Sequence, residues 1–74
     1  MKFEDIIEAV RIELKRQDDK WGSQRNLEDR TWIAILVEEV GEIAKASLDH
    51  DRINLHTEVI QVIAVCVCWL ENWK

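Results

Sequence analysis

Apolar positions near the start of the chain fall at Phe3, Ile6, Ile7, Val10 and Leu14, while Glu4, Glu8, Arg11 and Lys15 fall between them. That spacing lines one face of an α-helix of period 3.6. The stripe ends before Asp18-Asp19-Lys20, and Gly22-Ser23 supplies backbone freedom for a turn, so a first helix is predicted over residues 3–20. A polar stretch from Trp21 to Arg30 follows, with Asn26 and Asp29 available as N-caps. Helical spacing resumes at Ile33, Leu36, Val37, Val40, Ile43 and Ala44, which predicts a second helix over 31–48. Asp49-His50-Asp51-Arg52 is a connection short enough to favour an antiparallel neighbour, and a third helix is predicted over 54–73.

The third segment differs from the others. Val59, Ile60, Val62, Ile63, Ala64, Val65, Cys66, Val67, Cys68, Trp69 and Leu70 cover every side of it, and a helix apolar all round is expected to be buried all round. Two further helices in a chain of 74 residues are too few to surround it. The expected fold is therefore all-α: a single domain over 1–74, a three-helix antiparallel chain that completes a four-helix-type bundle as a homodimer or dimer of dimers. A chain this short also gains most from a partner, because one small core barely offsets conformational entropy.

The composition is 47% hydrophobic and 34% charged with two Gly and no Pro, which fits a helical globular domain. A net charge of −5 repels a nucleic-acid backbone or an anionic bilayer, so no polynucleotide or membrane partner is expected. A small phosphorylated ligand stays compatible, because a bound cation inverts the local field. Cys66 and Cys68 are two apart, point to opposite sides of a helix and cannot bridge each other; with no second thiol pair for zinc, apolar filling is their expected role. Reduced thiols, a start without a basic-then-apolar leader, and a Val62–Leu70 apolar run far short of a bilayer span lead to a cytoplasmic expectation.

Chemistry concentrates in Glu38-Glu39-Val40-Gly41-Glu42 on the second helix and Glu58-Val59-Ile60-Gln61 on the third. Residues three apart share a face, so Glu39 pairs with Glu42 and Glu58 with Gln61. On antiparallel neighbours the two pairs can face each other and gather oxygen ligands, the set that Mg²⁺ and Mn²⁺ prefer. Adjacent acidic residues on a helix are more often a solvated face than a ligand set. Glu58 raises the case for ligands, because a carboxylate on so apolar a helix needs something positive beside it. Gly41, unfavourable inside a helix, is read as room for close approach of a neighbour or ligand.

The pattern Glu38-Glu39-x-x-Glu42 with Glu58-x-x-Gln61 resembles the Glu-Glu-x-x-Glu and Glu-x-x-Asp signature of the MazG-like all-α nucleoside triphosphate pyrophosphohydrolases. Arg16-Gln17, Lys20-Trp21-Gly22-Ser23-Gln24, Trp32 to Leu36 and Gln61 to Val65 extend the likeness over most of the chain from Arg16 to Trp73. The resemblance implies Mg²⁺-dependent cleavage between the α- and β-phosphates of an NTP or dNTP, giving the monophosphate and pyrophosphate, in a nucleotide-pool housecleaning role. It implies Glu39, Glu42, Glu58 and Gln61 as metal ligands, with Glu38 as the residue that orients or deprotonates water. The chain departs from the pattern at Gln61, where the family carries aspartate, and one negative charge fewer weakens the hold on a cation. It is also short for the family, so the fourth helix that could complete the substrate pocket is either missing or supplied by another subunit.

Among the remaining residues, Trp21 and Trp32 are candidates for stacking on a base, with Trp32 better read as core; Trp69 and Trp73 are read as interface packing. Lys20, Arg25 and Lys45 are candidates for phosphate contact, Lys20 and Trp21 forming with Lys45 the expected substrate-binding set. His50 and His56 form no Glu-x-x-His pair and are read as surface. The competing readings are a non-catalytic nucleotide-binding or oligomerisation module of the same fold, and a hairpin that binds a foreign protein.

Overall fold

The computed structural model describes all 74 residues, as three α-helices and no strands: α1 (Phe3–Trp21), α2 (Asp29–Leu48) and α3 (Arg52–Glu71). Each boundary has a local cause. Glu4 and Asp5 place negative charge at the amino end of α1, and Gly22, at φ 87°, ends it by donating its N–H to Asp18 O at 2.8 Å. The second helix starts two residues earlier than its apolar spacing indicates. Its N-cap is Glu28, not Asn26 or Asp29, and no side chain caps it; Asp29 lies in the first turn and instead accepts a hydrogen bond from Trp69 Nε1 at 3.2 Å.

At the far end of α2 the chain reverses through His50, at φ 54°, with Asp51 N–H donating to Ala46 O and His50 N–H to Ser47 O. That is the paired closure of a Schellman motif, with histidine where glycine is usual. Asp51 then caps α3 by accepting from the Asn54 N–H at 3.1 Å, so α3 begins at Arg52 rather than 54. It ends at Glu71 rather than 73, where Asn72 Nδ2 donates to Cys68 O at 2.8 Å.

The helices run up, down and up. Asp29 and Trp32 meet Trp69 while Glu39 meets Gln61, an antiparallel register for α2 and α3. Met1 meets His56, and Val10 packs with Ile60 and Ala64, so α1 runs parallel to α3. The third helix is the centre of the chain: α1 and α2 each pack on it and not on each other. One core cluster joins Val10, Ile60 and Ala64; the other joins Trp32, Val65 and Cys68, with Leu14 touching both. Trp32 is 1% exposed and stacks on Trp69 with ring centres 6.4 Å apart, which settles it as core. Burial pushes the Cys68 thiol up, in keeping with apolar filling rather than reactivity.

Only nine residues are buried, and α3 is not enclosed: Ile53, Val59 and Leu70 stay exposed. So do Ile33, Val37, Val40 and Leu48, which share the outer side of α2. A Cβ built on Gly41 would meet nothing within 4 Å, so no neighbour within the chain uses the close approach expected there. The Val62–Leu70 run is short, but α3 as a whole is long and apolar enough, by length and composition, to cross a bilayer.

Candidate functional site

The α2–α3 register brings Glu39, Glu58 and Gln61 together. The Gln61 carboxamide lies against both carboxylates and, with no cation between them, its Nε2 turned toward them donates to Glu58 Oε2 at 2.8 Å and to Glu39 Oε2 at 3.1 Å. Two carboxylates from different helices thus converge on one point. Burial raises the pKa of Glu39, and the charges of Glu58, Glu38, Glu42 and Glu13 raise it further. Glu58 is raised in turn by burial and by the charges of Glu42 and Glu13. Negative charge is crowded here beyond what solvent relieves, the condition a cation would correct.

The donor set fits a hard cation in part. Oxygen ligands from Glu39 and Glu58 already converge, but no three acidic, histidine or cysteine side chains approach closely enough to form a ready-made metal centre. Glu42 is exposed and acts on the pair through its charge. With its amide nitrogen toward the carboxylates Gln61 donates to both, whereas a cation between them would be met by its amide oxygen in the opposite orientation, in exchange for both hydrogen bonds.

Beside the carboxylates lies a cavity of about 610 Å³. Glu38, Glu39 and Gln61 line one end, Trp21, Gln24, Arg25, Asn26 and Leu27 come from the end of α1 and the following loop, and Trp32, Ile35 and Val65 supply apolar wall. Such a volume with a few converging polar groups suits a small organic ligand. The loop is held by Arg25, whose guanidinium donates to Gly22 O and Asp18 Oδ1 and whose N–H donates to Asn72 Oδ1. Arg25 is therefore committed to the loop rather than free for phosphate.

The expected substrate-binding set divides. Trp21 lines the cavity, with the Lys20 ammonium 4.5 Å and the Arg25 guanidinium 5.5 Å from its ring centre. Lys20 is thus occupied by an aromatic face. Lys45 is exposed and is not among the cavity's lining residues. Glu38, the expected water-orienting residue, is exposed and does line it.

Three residues on α1 were not expected at the site. Glu13 is 7% exposed and is held by Arg16, whose Nε donates to its two oxygens at 2.7 and 2.8 Å. That hydrogen bonding, with the nearby Glu39 charge, holds the guanidinium pKa above its ordinary value. Arg16 and Gln17 both line the cavity, and Gln17 is 3% exposed. A signal was present: the Ile6–Val10 stripe, continued at helical spacing, lands on Glu13, Gln17 and Trp21, polar and aromatic residues on a face that should stay apolar.

No family model matches the chain, and no curated protein or solved structure is similar enough to count as a match.

Proposed function

We propose that the chain is a MazG-like, metal-dependent nucleoside triphosphate pyrophosphohydrolase, converting an NTP or dNTP and water to the monophosphate and pyrophosphate in a cytoplasmic housecleaning role. The observation that carries this reading is the convergence of Glu39 and Glu58 on Gln61 at the mouth of a nucleotide-sized cavity. Glu39, Glu42, Glu58 and the oxygen of a turned Gln61 would hold Mg²⁺ or Mn²⁺. When bound, the cation supplies charge neutralisation at the phosphates and acidifies water.

The chain's own residues do the rest. Glu38 faces the cavity from the exposed side of α2, where a carboxylate can orient water or take its proton. Arg16, half-exposed and lining the cavity beside the carboxylates, would meet a phosphate oxygen with the part of its guanidinium that Glu13 does not hold, a role the sequence suggested for Lys20, Arg25 and Lys45. Trp21, exposed and lining the cavity, would supply an aromatic surface to a base.

The reading includes self-association. The thin core and the exposed Ile33, Val37, Val40 and Leu48 leave α2 with an apolar outer side, and a second copy covering it would complete the four-helix bundle as a homodimer or dimer of dimers. Neither a polynucleotide nor a membrane is part of the proposal.

Pyrophosphate release from a panel of NTPs and dNTPs with Mg²⁺ or Mn²⁺, lost in Glu39→Gln, is the expected result. No turnover with any nucleotide overturns it. A second reading is favoured by Gln61 itself. Its amide can satisfy the carboxylate pair by hydrogen bonding without a cation, which suits a non-catalytic nucleotide-binding or oligomerisation module of the same fold. That alternative predicts nucleotide binding or stable oligomers without turnover.

A further inference from the structure

Glu13 is the one acidic residue of α1 that the fold buries, at 7% exposure. An exposed ion pair three residues apart on a helix contributes little, but a buried carboxylate is costly unless it is held. This carboxylate also lies close enough to Glu39 and Glu58 for its charge to oppose both of theirs. An apolar side chain packed in its place would serve stability better than a third acid, so stability alone does not account for it.

Arg16 holds the buried carboxylate. Its Nε donates to the two Glu13 oxygens at 2.7 and 2.8 Å, and its Nη2 lies 2.7 Å from Oε1. Glu13 thus takes the guanidinium by one edge, while Nη1 has no hydrogen-bond partner within the chain. The Arg16 side chain is 51% exposed, lines the cavity and feels the charge of Glu39. The other cation that lines the cavity, Arg25, is 12% exposed and tied to Gly22 and Asp18.

Resting on the proposed nucleotide-hydrolysing function, we infer that Glu13 is a positioning residue for phosphate, clamping Arg16 by its Nε–Nη2 edge so that the Nη1–Nη2 edge meets a phosphate group of the substrate. A planar fork held in one orientation matches two oxygens of one phosphate. A loose arginine has to be ordered when the ligand binds; here the ordering is done when the chain folds. Glu13 itself does not touch the substrate and acts through Arg16.

The test measures inorganic tripolyphosphate binding by calorimetry, with Mg²⁺ high enough that doubling it changes nothing, so that altered metal affinity does not enter. Arg16→Lys keeps the charge but has no second edge, and should bind about tenfold more weakly than the wild type. Glu13→Gln should bind roughly threefold to tenfold more weakly, the cost of ordering one long side chain on binding. The sign is diagnostic, because removing a negative charge near an anion otherwise tightens binding. Added to Arg16→Gln, the Glu13→Gln substitution should bring no further loss, since the residue it positions is gone.

A folded Glu13→Gln that binds tripolyphosphate as tightly as the wild type, or more tightly, overturns the inference. So do losses that simply add in the double variant, which assign Glu13 a structural role. If circular dichroism shows Glu13→Gln unfolded, the half-exposed Arg16→Lys decides, and unchanged affinity there overturns the two-edge geometry. Each of these results, with nucleotide turnover by the wild type intact, leaves the proposed function standing. A wild type that neither turns over nucleotide nor binds tripolyphosphate overturns both.

Discussion

Replacing Gln61 with aspartate should make the chain less stable on its own and more responsive to metal. Gln61 donates to Glu58 at 2.8 Å and to Glu39 at 3.1 Å. A hydrogen bond to a charged group contributes roughly 1.5–3 kcal/mol, and these partly exposed ones belong at or below the low end of that range, giving about 2 kcal/mol for the pair. Gln61→Asp removes both bonds and adds a third carboxylate to groups whose charges already oppose one another. In a domain of this size that loss lowers the thermal midpoint by about 8–16 °C. Saturating Mg²⁺ should restore it, since ligand at a hundredfold excess over its dissociation constant contributes about 2.7 kcal/mol, enough to offset the deficit. The assay is a far-ultraviolet circular dichroism melt of both chains with EDTA and with Mg²⁺. If Gln61→Asp melts within about 3 °C of the wild type in EDTA, the amide bridge contributes little. If Mg²⁺ leaves the variant unmoved, the carboxylates do not share a cation.

Trp32→Ala should cost about 3–5 kcal/mol, because it empties the centre of the second core cluster and removes the stack on Trp69. Total stability for such a chain is on the order of 4–11 kcal/mol, so the variant should be largely unfolded in mild urea; a loss below about 1 kcal/mol would contradict the packing described. His50→Gly should stabilise the chain by about 0.5–1 kcal/mol, read as an upward shift of the urea midpoint, since φ 54° is strained for histidine and easy for glycine. A lower midpoint would mean that the His50 side chain contributes more than its backbone strain takes away. Glu39 and Glu58 have raised pKa values in the folded chain and return to about 4.5 when unfolded, so the folded state binds protons more tightly. Both groups oppose folding at neutral pH, and that opposition fades as pH falls through their raised values. Without metal, the wild type should therefore gain stability relative to Glu39→Gln as pH falls from neutral toward the ordinary carboxylate value of about 4.5; parallel profiles would refute the cause given.

The apolar spacing of Phe3 to Leu14 and of Ile33 to Ala44 was enough to read two of the helices, and the boundaries that differed were decided by local groups that apolar spacing does not encode. Asp51 could cap α3 only because the chain reversed at His50, and nothing in that histidine announces a left-handed backbone. The pairing of Glu39 with Glu58 was legible because helical spacing and a short connection restrict the register. The contribution of α1 was harder to see: Glu13 and Gln17 look like ordinary polar helix residues until the parallel packing of α1 on α3 turns them inward. Lys45 and Gly41 misled for the opposite reason. Each lies within a helical turn of Glu42 or Glu39, yet Lys45 does not line the cavity and Gly41 faces open space.

Binding of Mn²⁺ followed by electron paramagnetic resonance, in the wild type and in Glu39→Gln and Glu58→Gln, addresses the shared-cation claim without requiring turnover. The account predicts saturable binding by the wild type that either single substitution weakens by about tenfold or more, on the order expected when one charged ligand is lost. Binding that survives both substitutions unchanged, or a wild type that takes up no Mn²⁺, would contradict it.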